Sequence, residues 1–128
     1  MRHPMLVIVE GDGRLAALLR PAAEQNRWAL HEPRQTGACL RLLRRGGPAV
    51  LLLKVGRDLE RELGLLEQAT RLFPDAAAVV VGDVEQPALA GLAWDLGADF
   101  VLFPPQPREQ LPEIVAGLMK PEGDRPGA

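Results

Sequence analysis

The residues most able to do chemistry stand directly after short apolar runs. Glu10-Gly11-Asp12 follows Met5 to Val9, Lys54 follows Ala49 to Leu53, and Gly82-Asp83 follows Ala76 to Val81, while Phe103-Pro104-Pro105 closes a run beginning at Phe100. If those runs end at one place, two or three carboxylates converge on one ammonium. Such a lysine can serve as a structural ion-pair partner, as a solvated side chain or as a catalytic amine. The third role needs a depressed lysine pKa, which burial among apolar groups gives but a neighbouring carboxylate opposes. Gly11-Asp12-Gly13 suits a strand-to-helix turn, because the fuller glycine pattern of a dinucleotide or nucleoside-triphosphate loop is missing. His3 and His31 lack metal-ligand spacing, and Cys39 is the only cysteine, which excludes an intrachain disulfide and a multi-thiolate zinc site. No metal, cofactor or catalytic residue is expected.

The runs themselves are the elements that must hold these residues. Each is too short for a typical helix and carries almost no polar alternation, the pattern of strands covered on both faces. Phe100 to Phe103 is a fourth strand of this kind and Trp28 to His31 a weaker fifth. Between them the period becomes helical: Leu15, Leu18, Leu19 and Ala22 mark one stripe, and Leu59, Leu63, Leu66 and Ala69 another. Thr36 suits the N-cap of a short helix ended by Gly46-Gly47-Pro48. Pro87 opens a helix that carries Leu89, Leu92, Ala93 and Leu96 and stops at Gly97. A helix starting near Arg108 or Glu109 puts Pro112 in its first turn and buries Ile114, Val115 and Leu118. β-α repeated five times predicts an α/β fold of the (βα)5 type, a doubly wound, five-stranded parallel sheet in a three-layer sandwich. Binding and catalysis in such sheets gather beyond the C-terminal strand ends, where strand order reverses.

The chain has 128 residues, 47% of them hydrophobic and 25% charged, which suits one globular domain. Residues 1–120 are expected to form it, and 121–128, rich in proline and glycine, to be a flexible tail. A formal net charge of −2 offers no overall field for a nucleic-acid backbone or an anionic membrane. Arg41, Arg44 and Arg45 sit around a helix C-terminus, where cations suit the helix dipole. The first apolar run is too short for a signal peptide or a membrane span, so a cytoplasmic location is expected.

From Leu6 to about Met119 the sequence resembles a response-regulator receiver domain, a flavodoxin-like fold of two-component signal transduction. The resemblance rests on the acids after the first strand, the leucine a few residues beyond, Gly97-Ala98-Asp99 before the fifth strand and the Pro-Gln-Pro-Arg-Glu-Gln-Leu entry to the last helix. Against the family pattern, Glu10 takes the first place of the acidic pair, Gly11 the second, and Asp12 the often acidic place after them. Lys54 stands where the phospho-acceptor aspartate would be, Gly82 where a hydroxyl residue follows the phosphoryl group, Val101 where an aromatic swings inward, and Pro104 where a lysine contacts phosphoryl oxygens. Pro105 matches the following proline.

Aspartyl phosphorylation needs a carboxylate nucleophile and a divalent cation held by carboxylates, and a protonated lysine supplies neither. The resemblance therefore implies a degenerate receiver, a pseudo-receiver that acts independently of phosphorylation through protein-protein interaction and is not an enzyme. Its partner would be another signalling protein or itself. A homodimer would use the fourth helix, fifth strand and fifth helix, where Trp94, Phe100, Val101 and Phe103 could line an apolar face. The rival expectation is an enzyme or small-ligand binder reusing Glu10, Asp12, Lys54 and Asp83. A domain that merely fixes oligomeric state is a third.

Overall fold

The computed structural model describes residues 3–119, so the expected tail at 121–128 lies outside the described residues. Within that span the chain alternates strand and helix: β1 (Met5–Val9), α1 (Arg14–Asn26), β2 (Ala29–His31), α2 (Thr36–Arg44), β3 (Ala49–Val55), α3 (Leu59–Leu72), β4 (Ala77–Gly82), α4 (Pro87–Asp95), β5 (Phe100–Leu102) and α5 (Leu111–Leu118). One 3-10 turn, Arg108–Gln110, leads into α5. The strands form a single parallel sheet in the order β2-β1-β3-β4-β5.

Alternation along the strands divides the core in two. Leu6, Ile8, Val50, Leu52, Val79 and Val81 pack under α1 and α5, whereas Val7, Leu51, Leu53 and Val80 pack under α2, α3 and α4. Both faces of the sheet are therefore dry, which is why the strands read as unbroken apolar runs. The Gly-Ala-Asp before β5 has a local cause: Gly97 takes a left-handed φ of 105°, Ala98 is buried, and the Asp99 carboxylate accepts the Ala78 N–H at 2.7 Å.

Helix faces depart from the expected stripes in three places. Gln35, not Thr36, is the N-cap of α2, and Thr36 is its first helical residue. In α3 the inward face is Glu62, Leu65, Leu66 and Ala69, while Leu59 is 41% exposed. Glu62 turns inward because its carboxylate accepts the N–H groups of Gly56 and Asp58, whose loop would otherwise leave them unpaired. In α5, Leu111 and Val115 are the buried pair and Ile114 and Leu118 are half-buried, because the helix starts at Leu111, after the 3-10 turn. Pro112 does fall in the first turn.

Candidate functional site

The order reversal puts the C-terminal ends of β1 and β3 side by side, with Val9 opposite Leu53, and β4 next to them, with Val81 opposite Lys54. Lys54 is thereby held with only 11% of its side chain exposed. Its Nζ donates to Asp12 Oδ2 at 2.7 Å and lies 3.2 Å from Asp83 Oδ2. Asp83 in turn receives a hydrogen bond from Arg108, whose guanidinium also donates to the Gly82 carbonyl at 3.1 Å. A row of alternating charge, Asp12, Lys54, Asp83 and Arg108, so ties the ends of β1, β3 and β4 to the entrance of α5.

Electrostatics follow from this row. The hydrogen bond from Lys54, with the Arg14 N–H next, holds the Asp12 carboxyl well below the usual carboxylate range. For Asp83, burial pushes upward, but the hydrogen bonds of Arg108 and Lys54 together outweigh it and keep the group below its ordinary value. Both acids are thus charged across the neutral range, and a catalytic amine is the least favoured role for an ammonium clasped between them.

Glu10 takes a different part from the one its neighbourhood suggests. It does not pair with Lys54: Oε1 accepts the N–H of Leu15 at 2.8 Å and Oε2 that of Ala16 at 2.9 Å. The N-cap of α1 is Gly13, which has no side chain to cap with, so Glu10 caps the helix from outside it. Gly11 lies beneath Arg57, and a Cβ there would collide with the guanidinium. Gly82 is covered by the Phe103 ring, which would collide with any Cβ at that position. Pro104 brings neither a charge nor an N–H, and its bond to Pro105 is cis.

Of the residues expected on an exposed apolar face, Trp94 is 48% exposed and meets the half-buried Phe100 edge-on at 6.2 Å. Val101 and Phe103 do not belong to that face. They are 5% and 6% exposed and pack into the core under α4, because their strand positions point opposite to Phe100. Leu92 of the same helix as Trp94 is also exposed, at 42%. Arg108, Arg57 and Glu62 were not singled out by residue type. Arg108 stands in the Pro-Gln-Pro-Arg entry, but only its approach to Asp83, 25 residues away, gives its charge a role.

A groove of about 1250 Å³ opens between this row and the connections leading into α2 and α3. Every carboxylate that lines it is engaged: Glu10 and Glu62 with backbone N–H groups, Asp12 and Asp83 with Lys54, Asp58 with Arg61 and Glu32 with Arg20. The Cys39 thiol is buried, and desolvation pushes it up to about 11, so it offers no thiolate. Among the described residues no group of three or more His, Cys, Asp or Glu is placed to hold a metal ion, and no helix is long and apolar enough to cross a membrane.

No protein-family model and no curated protein matches the sequence. Solved structures do match the fold. A response regulator from Thermotoga maritima superposes with a TM-score of 0.75 at 19% identity, covering 92% of this chain and 98% of that one. The chain has the receiver fold. A CheY-like receiver domain protein from Methanospirillum hungatei agrees at 0.72 and 19% identity over 91% of this chain and 94% of its own. A response regulator from Burkholderia pseudomallei, solved with a phosphorylated aspartic acid and a calcium ion, agrees at 0.70 and 19% identity over 91% of this chain and 66% of its own. The divalent cation that the receiver fold implies does not fit the residues present here. Glu10 spends both oxygens on α1, Gly11 supplies none, and Lys54 and Arg108 together already balance the charges of Asp12 and Asp83.

Proposed function

We propose that the chain is a pseudo-receiver: a signalling or regulatory module that acts independently of phosphorylation by binding another protein. The observation that carries this reading is Lys54, which fills the place of the acceptor carboxylate and is clasped by Asp12 and Asp83. A fixed ammonium there supplies permanently the charge balance that a bound metal ion supplies conditionally, so the fold keeps its shape and loses its switch. The enzyme reading has less support, because no carboxylate lining the groove is free to act as base or nucleophile. A cytoplasmic location goes with this proposal.

The partner surface in this reading is α4 with the β5 edge, where the exposed Trp94 meets Phe100, and Leu92 is a further exposed apolar residue of α4. Exposed tryptophans are disproportionately common among residues that dominate interface energy. Another signalling protein or a second copy of the chain would dock there, and neither nucleic acid nor a membrane is needed. Trp94→Ala is expected to shift unfolding by less than about 1 kcal/mol, as surface substitutions do. Retention of a specific protein from the native cell extract should fall at least about tenfold, the effect of a single central anchor. Equal retention by both forms would remove this face from the account, and retention that depends on a phosphodonor would contradict the proposal itself.

A further inference from the structure

Charge is distributed very unevenly along the sequence. Residues 33–57 contain Arg34, Arg41, Arg44, Arg45, Lys54 and Arg57 and no carboxylate, whereas residues 84–119 contain Glu85, Asp95, Asp99, Glu109 and Glu113 against Arg108 alone. The topology carries α2, with Arg41, Arg44 and Arg45, and the α4–β5–α5 edge to opposite sides of the molecule, whereas Lys54 and Arg57 belong to the central strand β3 and the loop after it. α2 follows the edge strand β2 and packs toward β1, while α4 packs on β5, the opposite edge strand, and α5 follows it.

The local explanation of the arginines is incomplete. Cations at a helix C-terminus suit the dipole, which favours Arg41, Arg44 and Arg45 but does not account for Arg34, Arg57 or the absence of any acid from residues 33–57. Arg34, Arg41, Arg44, Arg45 and Arg57 are all exposed, and none pairs with a carboxylate among the described residues. At the other edge Glu85, Asp95, Glu109 and Glu113 are equally exposed and equally unpaired. Trp94, which precedes Asp95 in the sequence, has about half its surface in water. An exposed indole on an acidic edge can stack a guanidinium on its ring face.

We infer that the chain self-associates head to tail, the arginine face of α2 in one copy docking on the acidic α4, β5 and α5 edge of the next, with arginine stacked on Trp94. This rests on the reading of the β5 edge as a partner surface and names what docks there. Because the two faces differ, each copy keeps one free face after docking, and the association is open-ended unless its rotation closes a ring. Single exposed ion pairs contribute little, so the contact is weak and depends on the summed field of several charges together with the aromatic contact.

Sedimentation velocity on the full chain tests the inference. Wild type should show a concentration-dependent series of species that weakens at least about tenfold when salt rises from about 0.05 M to about 0.5 M, as the screening length shrinks. Two neutralised variants separate the faces: Arg41→Gln/Arg44→Gln/Arg45→Gln, and Asp95→Asn/Glu109→Gln/Glu113→Gln. Each alone should be monomeric, and an equal mixture should form a one-to-one dimer that does not grow, since one intact face of each kind remains. Trp94→Ala, which keeps all charges, should also weaken the wild-type series. A wild type that stays monomeric at low salt overturns the inference. A symmetric dimer kept by the arginine variant and lost by the acid variant also overturns it, but leaves the β5 edge standing as a partner surface.

Discussion

Gly82→Thr, which restores the residue type that receivers carry at this place, is expected to destabilise the chain by about 2–3 kcal/mol, the upper part of the range for overpacking a close-packed interior. The cause lies across the sheet edge. The Phe103 ring rests directly on Gly82, so three of its atoms stand where a side chain would begin. β4 is paired on both sides and cannot retreat, and the ring, 6% exposed, leaves a void in the core under α4 if it swings out. Urea unfolding at neutral pH measures the loss. A double-mutant cycle identifies its origin: Phe103→Ala alone should cost about 3–4 kcal/mol as a large-to-small core change. The pair should cost clearly less than the sum, because removing the ring removes the collision. Strict additivity would show that something other than Phe103 keeps position 82 small.

Lys54→Met is expected to cost about 1–2 kcal/mol near neutral pH, less than a fully buried pair would, because Asp12 and Asp83 are 38% and 56% exposed and solvent screens them. Methionine keeps most of the stem's packing, so the deficit is electrostatic: Asp12 loses its ammonium and faces Asp83, which keeps only Arg108. Its pH dependence has a definite sign. In the wild type both carboxyls are held below their ordinary range, so their contribution is fully present above about pH 4 and is lost as pH falls toward the lowered folded values. Without Lys54 the depression of Asp12 largely disappears, while Asp83 keeps the hydrogen bond from Arg108, and protonation of Asp12 relieves the repulsion. The difference between mutant and wild type should therefore be constant from pH 8 to about 5 and shrink below about 4. A difference independent of pH would assign the loss to packing, and no difference at any pH would make Lys54 a solvated side chain.

Much of the architecture was legible because both faces of a parallel sheet are dry, and β1, β3 and β4 therefore announce themselves as apolar runs bounded by glycine and charge. β2 was weaker because only three of its residues pair, each half-buried at the sheet edge. The α3 face is not legible in the stripe, since an inward carboxylate, Glu62, replaces an apolar residue, and its reason is two loop N–H groups that no periodicity reveals. The convergence of Asp12, Lys54 and Asp83 followed from strand ends alone. Which acid Lys54 would choose did not, because that depends on Glu10 being drawn away to the amides of α1. Trp94 was ambiguous for another reason: α4 is apolar nearly all round, so the pattern does not say which apolar residues face water.

Incubating the full chain with acetyl phosphate and magnesium, then recording its intact mass and its amide spectrum, tests the central claim most directly. Lys54 offers no carboxylate to accept the phosphoryl group, and together with Arg108 it already balances the two acids that remain near it. The account predicts an unchanged mass and unshifted amide resonances around Asp12, Lys54 and Asp83. A stoichiometric, base-labile phosphoryl adduct with shifts at those residues would contradict it.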